Sequence, residues 1–298
     1  MSPSIYLWSP AYPLRSAEQV VNATAAALRF ATAMGATLTV DEHLAELGAV
    51  GVWPSVTKRI PGLRAALSHD FLLTARGGYG CLDLLNHLPA TAHLPYLIGY
   101  SDVTVLHAAW RVLGAKETLY GFMPGVPHGE RAMTTAIQCA SGLGLHCEQT
   151  NYPSVSVAQE GQGSGPLFVA CLSVLVGLIG TRWMPNLRGC VLAIEDIDER
   201  PYRLDRAIWQ LHASGCFDGV VGLITNSLPA TNPADYAGPS AEMIVTKWAQ
   251  RLNIPAIIGF PFGHHPDPLA LPCGRTCLLN VTNSTWSLAI SSRSDTHS

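Results

Sequence analysis

Leu97-Ile98-Gly99-Tyr100-Ser101-Asp102-Val103-Thr104 carries a short apolar run through a glycine to a serine, and the amphipathic stretch Val103–Leu113 follows at once. The pattern predicts a strand turning sharply into a helix. The Ser101 hydroxyl would then stand above a sheet at the helix N-terminus, as in a nucleophile elbow. The usual elbow has a second glycine two residues after the serine, and here that position is Val103. A Ser-Asp pair after a strand also serves as an ordinary helix N-cap, so on this stretch alone both readings stand.

Working outward, Ile5–Ser9, Ala36–Val40, Asp70–Ala75 and Pro95–Gly99 read as strands. Helices are predicted between them over Ser16–Met34, Val56–Ser68 and Cys81–His87, the first closed by Gly35. Beyond the elbow, Phe168–Ile179 reads as a buried apolar helix, with further helices over Tyr202–Ser214 and Ser240–Leu252. Cys190–Ile194, Gly219–Thr225 and Ala256–Gly259 read as strands, and Thr276–Val281 and Trp286–Ser291 alternate like an antiparallel pair. Strands alternating with helices define an α/β fold whose parallel sheet is covered on both faces. From Gln149 to Pro166 the texture changes to Ser, Gly, Gln and Pro, the composition of a linker. The expected organisation is therefore a domain over 1–148 and a second over 149–298, with the linker at about 149–165.

Composition narrows the function. With 48% hydrophobic and 13% charged residues over 298 positions, the chain can bury a large core and has the profile of a globular enzyme. A net charge of −3 without a basic run gives no footprint for nucleic acid or an anionic membrane surface. Leu167 to Gly180, the longest uncharged apolar stretch, is too short to span a bilayer. Met1-Ser2-Pro3-Ser4 lacks the basic start of a secretion signal, so a cytoplasmic location is expected. The eight cysteines contain no CxxC pair, which points to buried free thiols, with neither metal nor cofactor.

Acyl transfer by a serine needs a base, an acid to orient it and donors for the oxyanion. Gly77-Gly78, after a strand, can aim backbone N–H groups at a developing oxyanion, and the N–H of Asp102 is a natural second donor. A tight turn or a phosphate loop is the alternative use of the glycine pair, although no GxGxxG or Walker spacing is present. Glu195 ends an all-apolar strand, so its carboxylate starts near the core and requires a partner such as an imidazole. An acidic loop open to solvent or to a metal is the alternative for Glu195, Asp196, Asp198 and Glu199, with Arg200, Arg203 and Arg206 nearby to neutralise it. His264 lies in a Gly/Pro-rich loop after the last strand of the α/β part, a better setting for a base than a helix face. The order Ser101, Glu195, His264 is that of nucleophile, acid and base, and it places the active site in the cleft between the domains.

Five segments extend the pattern: Arg76-Gly-Gly-Tyr-Gly80, Gly99-Tyr-Ser-Asp-Val-Thr104, Leu178-Ile-Gly-Thr-Arg-Trp-Met-Pro185, Ile194-Glu-Asp-Ile-Asp-Glu-Arg-Pro-Tyr-Arg-Leu-Asp-Arg206 and Gly259-Phe-Pro-Phe-Gly-His264. In this order they closely resemble the LD-carboxypeptidase (muramoyltetrapeptide carboxypeptidase) family of serine peptidases, which includes microcin-immunity proteins. The resemblance runs from about Ser9 to Asn280. It implies an N-terminal parallel, flavodoxin-like sheet flanked by helices, and a C-terminal α/β domain with its own small sheet or barrel. It also implies a homodimer. The implied triad falls on Ser101, Glu195 and His264, with the oxyanion donors on Gly78 and Asp102, and spacing after Gly263 favours His264 over His265. Gly77 and Tyr100 are candidate substrate contacts. The implied reaction releases terminal D-alanine from muropeptide tetrapeptides during peptidoglycan recycling. Val169-Ala170-Cys171 stands where the family usually has Gly-Gly-Asn, and Gly121-Phe122-Met123 where it often has Gly-Pro-Met, differences expected to alter the pocket. Two rival readings are an amidohydrolase of peptidyl-nucleotides and a non-catalytic small-molecule binding module.

Overall fold

The computed structural model describes residues 2–45, 55–89, 93–229 and 235–293; the outer ends of both expected domains, residues 1 and 294–298, lie outside this set. The first half alternates β1 (Ser4–Trp8), α1 (Ala17–Ala33), β2 (Thr37–Val40), α2 (Val56–Ala66), β3 (Phe71–Thr74), α3 (Cys81–Leu84), β4 (Tyr96–Gly99), α4 (Thr104–Val112) and β5 (Thr118–Tyr120). Then come α5 (Glu130–Ala140), β6 (Leu145–Glu148), β7 (Ser156–Gln159), β8 (Gly161–Cys171), α6 (Leu172–Val176) and β9 (Val191–Glu195). The chain continues through α7 (Pro201–Ala213), β10 (Gly222–Thr225), α8 (Ala241–Leu252), β11 (Ala256–Ile258), β12 (Leu271–Cys273), β13 (Thr276–Val281) and β14 (Trp286–Ile290).

In the first sheet β2, β1, β3, β4 and β5 lie side by side and parallel, with β12 added antiparallel at the β5 edge. The order 2-1-3-4-5 is the flavodoxin-like, doubly wound order, and its direction of winding reverses between β1 and β3. Leu7, Leu72, Leu73, Leu97 and Ile98 on these strands are fully buried, each removal from water contributing roughly 1.5–3 kcal/mol. Ser16 starts α1 by accepting a hydrogen bond from the Gln19 N–H, and Phe30 and its alanines then pack onto the sheet.

The second sheet has eight strands in the order β6-β14-β13-β8-β9-β10-β11-β7. Its centre, β8 to β11, is parallel, and its outer strands are antiparallel. This mixed α/β architecture of two sheets agrees with the expected fold class. Arg275, buried, anchors the two sheets through a 2.8 Å hydrogen bond to Glu117, the residue before β5.

Two expectations are corrected. The stretch at 149–165 is not an irregular linker, because it carries β7 and most of the Gly-rich half of β8. A Cβ on Gly163 would overlap the Val221 carbonyl, and one on Gly165 the Gly189 carbonyl, so the glycines mark close backbone approach within a sheet. Phe168–Ile179 is not one helix either. Residues through Cys171 complete β8, pairing with β9 from Leu167↔Val191 to Cys171↔Glu195, and only Leu172–Val176 is helical. A continuous apolar run carries no period that separates a strand buried on both faces from a buried helix.

Candidate active site

β4 delivers the chain to Ser101, whose φ of +66° is the left-handed conformation that a sharp strand-to-helix turn imposes. Gly99 leaves no room for a side chain there, since a Cβ would overlap the Thr74 hydroxyl. Below the turn, buried His107 bonds to the Gly99 carbonyl at 2.9 Å and to the Thr118 hydroxyl at 2.8 Å. Burial pushes the His107 pKa down to about 4, so this imidazole is a neutral prop. Residues 101–103 form one turn of 3-10 helix leading into α4, and the Asp102 N–H in that first turn has no acceptor within the helix. The Asp102 side chain accepts a 2.9 Å bond from the Cys81 N–H at the start of α3.

Glu195, at the end of β9, is fully buried. Its Oε2 accepts from His264 Nδ1 at 2.7 Å and from the His264 backbone N–H at 3.3 Å. Gly263 makes this contact: its φ is +65°, and any Cβ would overlap the Glu195 carboxylate. Burial alone would lower the His264 pKa, but the hydrogen bond and charge of Glu195 outweigh it and raise it above the usual histidine value. The neighbouring His265 turns back into its own loop, accepting from the Asp267 N–H at 3.1 Å.

Tyr120, at the end of β5, joins the two halves of the site. Its buried hydroxyl donates to Glu195 Oε1 at 2.7 Å and accepts from the Ser101 N–H at 3.0 Å. Thr104 supports the same junction, with its hydroxyl 3.4 Å from Tyr120 Oη and accepting the Cys171 N–H at 2.9 Å. Sequence reading missed Tyr120. The β-prone run Thr118-Leu119-Tyr120 before Gly121 would have signalled a strand end, but not what its hydroxyl reaches.

Tyr100 is buried, and its ring meets the His264 ring edge-on at 5.2 Å, so the imidazole rests against the residue next to Ser101. With only 3% of its surface exposed, Tyr100 supports the imidazole and offers little to a substrate. Among the described residues no hydrogen bond links the Ser101 hydroxyl to His264. Gly77 packs directly on Ser101: a Cβ there would lie 2.9 Å from Ser101 Cβ and 3.1 Å from Oγ. Gly78, exposed with φ +121°, has the Tyr12 ring where its side chain would be. Of the two departures from the family pattern, Val169, Ala170 and Cys171 are buried within the second sheet. Phe122 lines a groove of about 680 Å³ with His128, Arg29 and Met133.

A murein tetrapeptide carboxypeptidase of Pseudomonas aeruginosa is 29% identical, with 71% of this chain and 72% of that protein covered. The crystal structure of a muramoyltetrapeptide carboxypeptidase from Oxalobacter formigenes shares the fold at a TM-score of 0.81 and 22% identity, covering 96% of this chain and 99% of that one. An MccF-like protein from Bacillus anthracis also matches at a TM-score of 0.81, with 21% identity and coverage of 98% and 97%. This chain is a carboxypeptidase. It belongs to the LD-carboxypeptidase family, whose N-terminal domain profile matches residues 5–121 and whose C-terminal domain profile matches residues 164–279. Membership sets aside the reading as a non-catalytic binding module. Among the described residues, no helix is long and apolar enough to cross a membrane.

Proposed function

We propose that the chain is a serine peptidase that hydrolyses the L,D-amide bond releasing terminal D-alanine from muropeptide tetrapeptides in the cytoplasm, a step of peptidoglycan recycling. The observation that carries this reading is the hydrogen-bonded path from the Ser101 N–H through Tyr120 to Glu195 and on to His264. It places a buried carboxylate behind an imidazole and ties both to the elbow. Ser101 comes from the unit proposed at 1–148, Glu195 and His264 from that at 149–298.

In the reaction, His264 Nε2 takes the Ser101 proton as Oγ bonds to the scissile carbonyl carbon, and the carbonyl electron pair moves onto oxygen. The N–H groups of Gly78 and Asp102 hold that oxyanion, each donor worth roughly 2.7–4 kcal/mol in comparable sites. The imidazolium, stabilised by Glu195, then protonates the departing amine of D-alanine as the C–N bond breaks. Water, deprotonated by the same imidazole, attacks the acyl-serine, and the serine leaves with the proton restored.

The similarity to the murein tetrapeptide carboxypeptidase of Pseudomonas aeruginosa supports this choice of substrate. Mass spectrometry of products from a tetrapeptide ending in D-alanine tests it. A tripeptide and free D-alanine are expected; an intact tetrapeptide, with cleavage of a competing aminoacyl-nucleotide amide in the same tube, would favour the peptidyl-nucleotide hydrolase. A homodimer, the assembly the family resemblance implies, is checked by light scattering.

A further inference from the structure

Arg76 follows β3 and immediately precedes Gly77, the residue packed on Ser101. Its guanidinium carbon lies 5.8 Å from the centroid of the Tyr12 ring, and that of Arg15 lies 5.3 Å from the same centroid. Tyr12 in turn fills the space beside Gly78. Tyr12 and Arg15 follow β1 whereas Arg76 follows β3, so the cluster stands where the winding of the first sheet reverses. Sheets of this kind bind ligands in the crevice at that point, outside the carboxyl ends of the strands.

Other arginines have acidic partners: Arg59 pairs with Asp83, Arg131 with Asp267, Arg203 with Glu199, and Arg275 with Glu117. Among the described residues no carboxylate pairs with Arg76 or Arg15. Arg76 is half-buried, and its burial together with the like charge of Arg15 weakens its hold on its proton. Two guanidinium groups beside one ring, without an acid between them, repel each other until an anion arrives. A guanidinium matches a carboxylate with two parallel hydrogen bonds.

We infer that Arg76, assisted by Arg15, binds the C-terminal carboxylate of the peptide and so restricts cleavage to its last residue. This rests on the peptidase reading above and adds to it the group that makes the enzyme an exopeptidase. A peptide ending in a neutral amide leaves Arg76 desolvated and unpaired, which is how a site built for a polar group rejects an analogue lacking it.

The test compares a tetrapeptide ending in D-alanine with the same peptide ending in D-alaninamide. Wild-type enzyme is expected to prefer the acid by about 10- to 100-fold in kcat/KM. R76Q should bring that preference within about threefold, mainly by raising KM for the acid, because a uniform binding contact is lost. R15Q, at an exposed side chain, and R76K should each reduce the preference partially. Undiminished preference in folded R76Q overturns the assignment. Should R76Q fail to fold in a thermal melt, undiminished preference in both R15Q and R76K overturns it equally. A wild-type enzyme that cleaves neither peptide overturns the proposed function itself, and this assignment with it.

Discussion

The Tyr120 hydroxyl donates to Glu195 Oε1 at 2.7 Å while accepting from the Ser101 backbone N–H at 3.0 Å. One buried phenol thus fixes the acid of one sheet against the elbow of the other. Y120F should lower kcat about 10-fold or more with little change in KM, and lower stability by roughly 1–3 kcal/mol, because two buried polar groups lose their partner. Steady-state kinetics and urea unfolding read both effects. An unchanged kcat would mean that Tyr120 has no part in positioning Glu195.

Glu195→Gln removes the charge that raises the His264 pKa. As the proposed base, His264 must be neutral to act, so wild-type activity should decline as pH falls through that raised pKa. In E195Q the acid limb should move to lower pH, and the plateau should drop by about 10²- to 10⁴-fold. Stability carries the opposite limb. The His264–Glu195 pair stabilises the fold fully below the unfolded histidine pKa of about 6.5, and this contribution is lost as pH rises through the raised folded value. The stability difference between wild type and E195Q should therefore shrink with increasing pH, as measured by urea midpoints across a pH series. A difference that grows with pH would contradict the pairing.

Gly77→Ala tests the packing on Ser101, the proposed nucleophile. Its methyl would lie 2.9 Å from Ser101 Cβ, closer than such contacts tolerate, so the serine must shift. A displacement of this size should cost about 10²-fold in kcat while the protein still folds. Circular dichroism with turnover measurements separates the two, and wild-type turnover in G77A would show that Ser101 is free to move.

Much of the frame was legible because apolar runs bounded by glycine, proline and polar turns are short enough to be strands, as at β1, β3, β4, β9 and β10. Ser101, Glu195 and His264 stand out in the sequence because each lies at or soon after the end of an apolar run that reads as a strand. Gly163 and Gly165 misled because glycines demanded by neighbouring carbonyls have the same composition as a flexible joint. Phe168 to Cys171 misled because the sheet buries both faces and leaves no alternation to read. Tyr120 was illegible for a different reason: its partners lie 19 and 75 residues away, and no local spacing encodes that meeting. The pairing of β12 with β5 is equally long-range, joining residues 271–273 to 118–120.

The most direct test of the account is the rate of D-alanine release by S101A from a tetrapeptide, measured beside wild type at matched thermal stability. Loss of at least about 10³-fold with an unchanged melting temperature is the predicted result. A folded S101A protein that turns over at close to the wild-type rate would contradict Ser101 as the nucleophile.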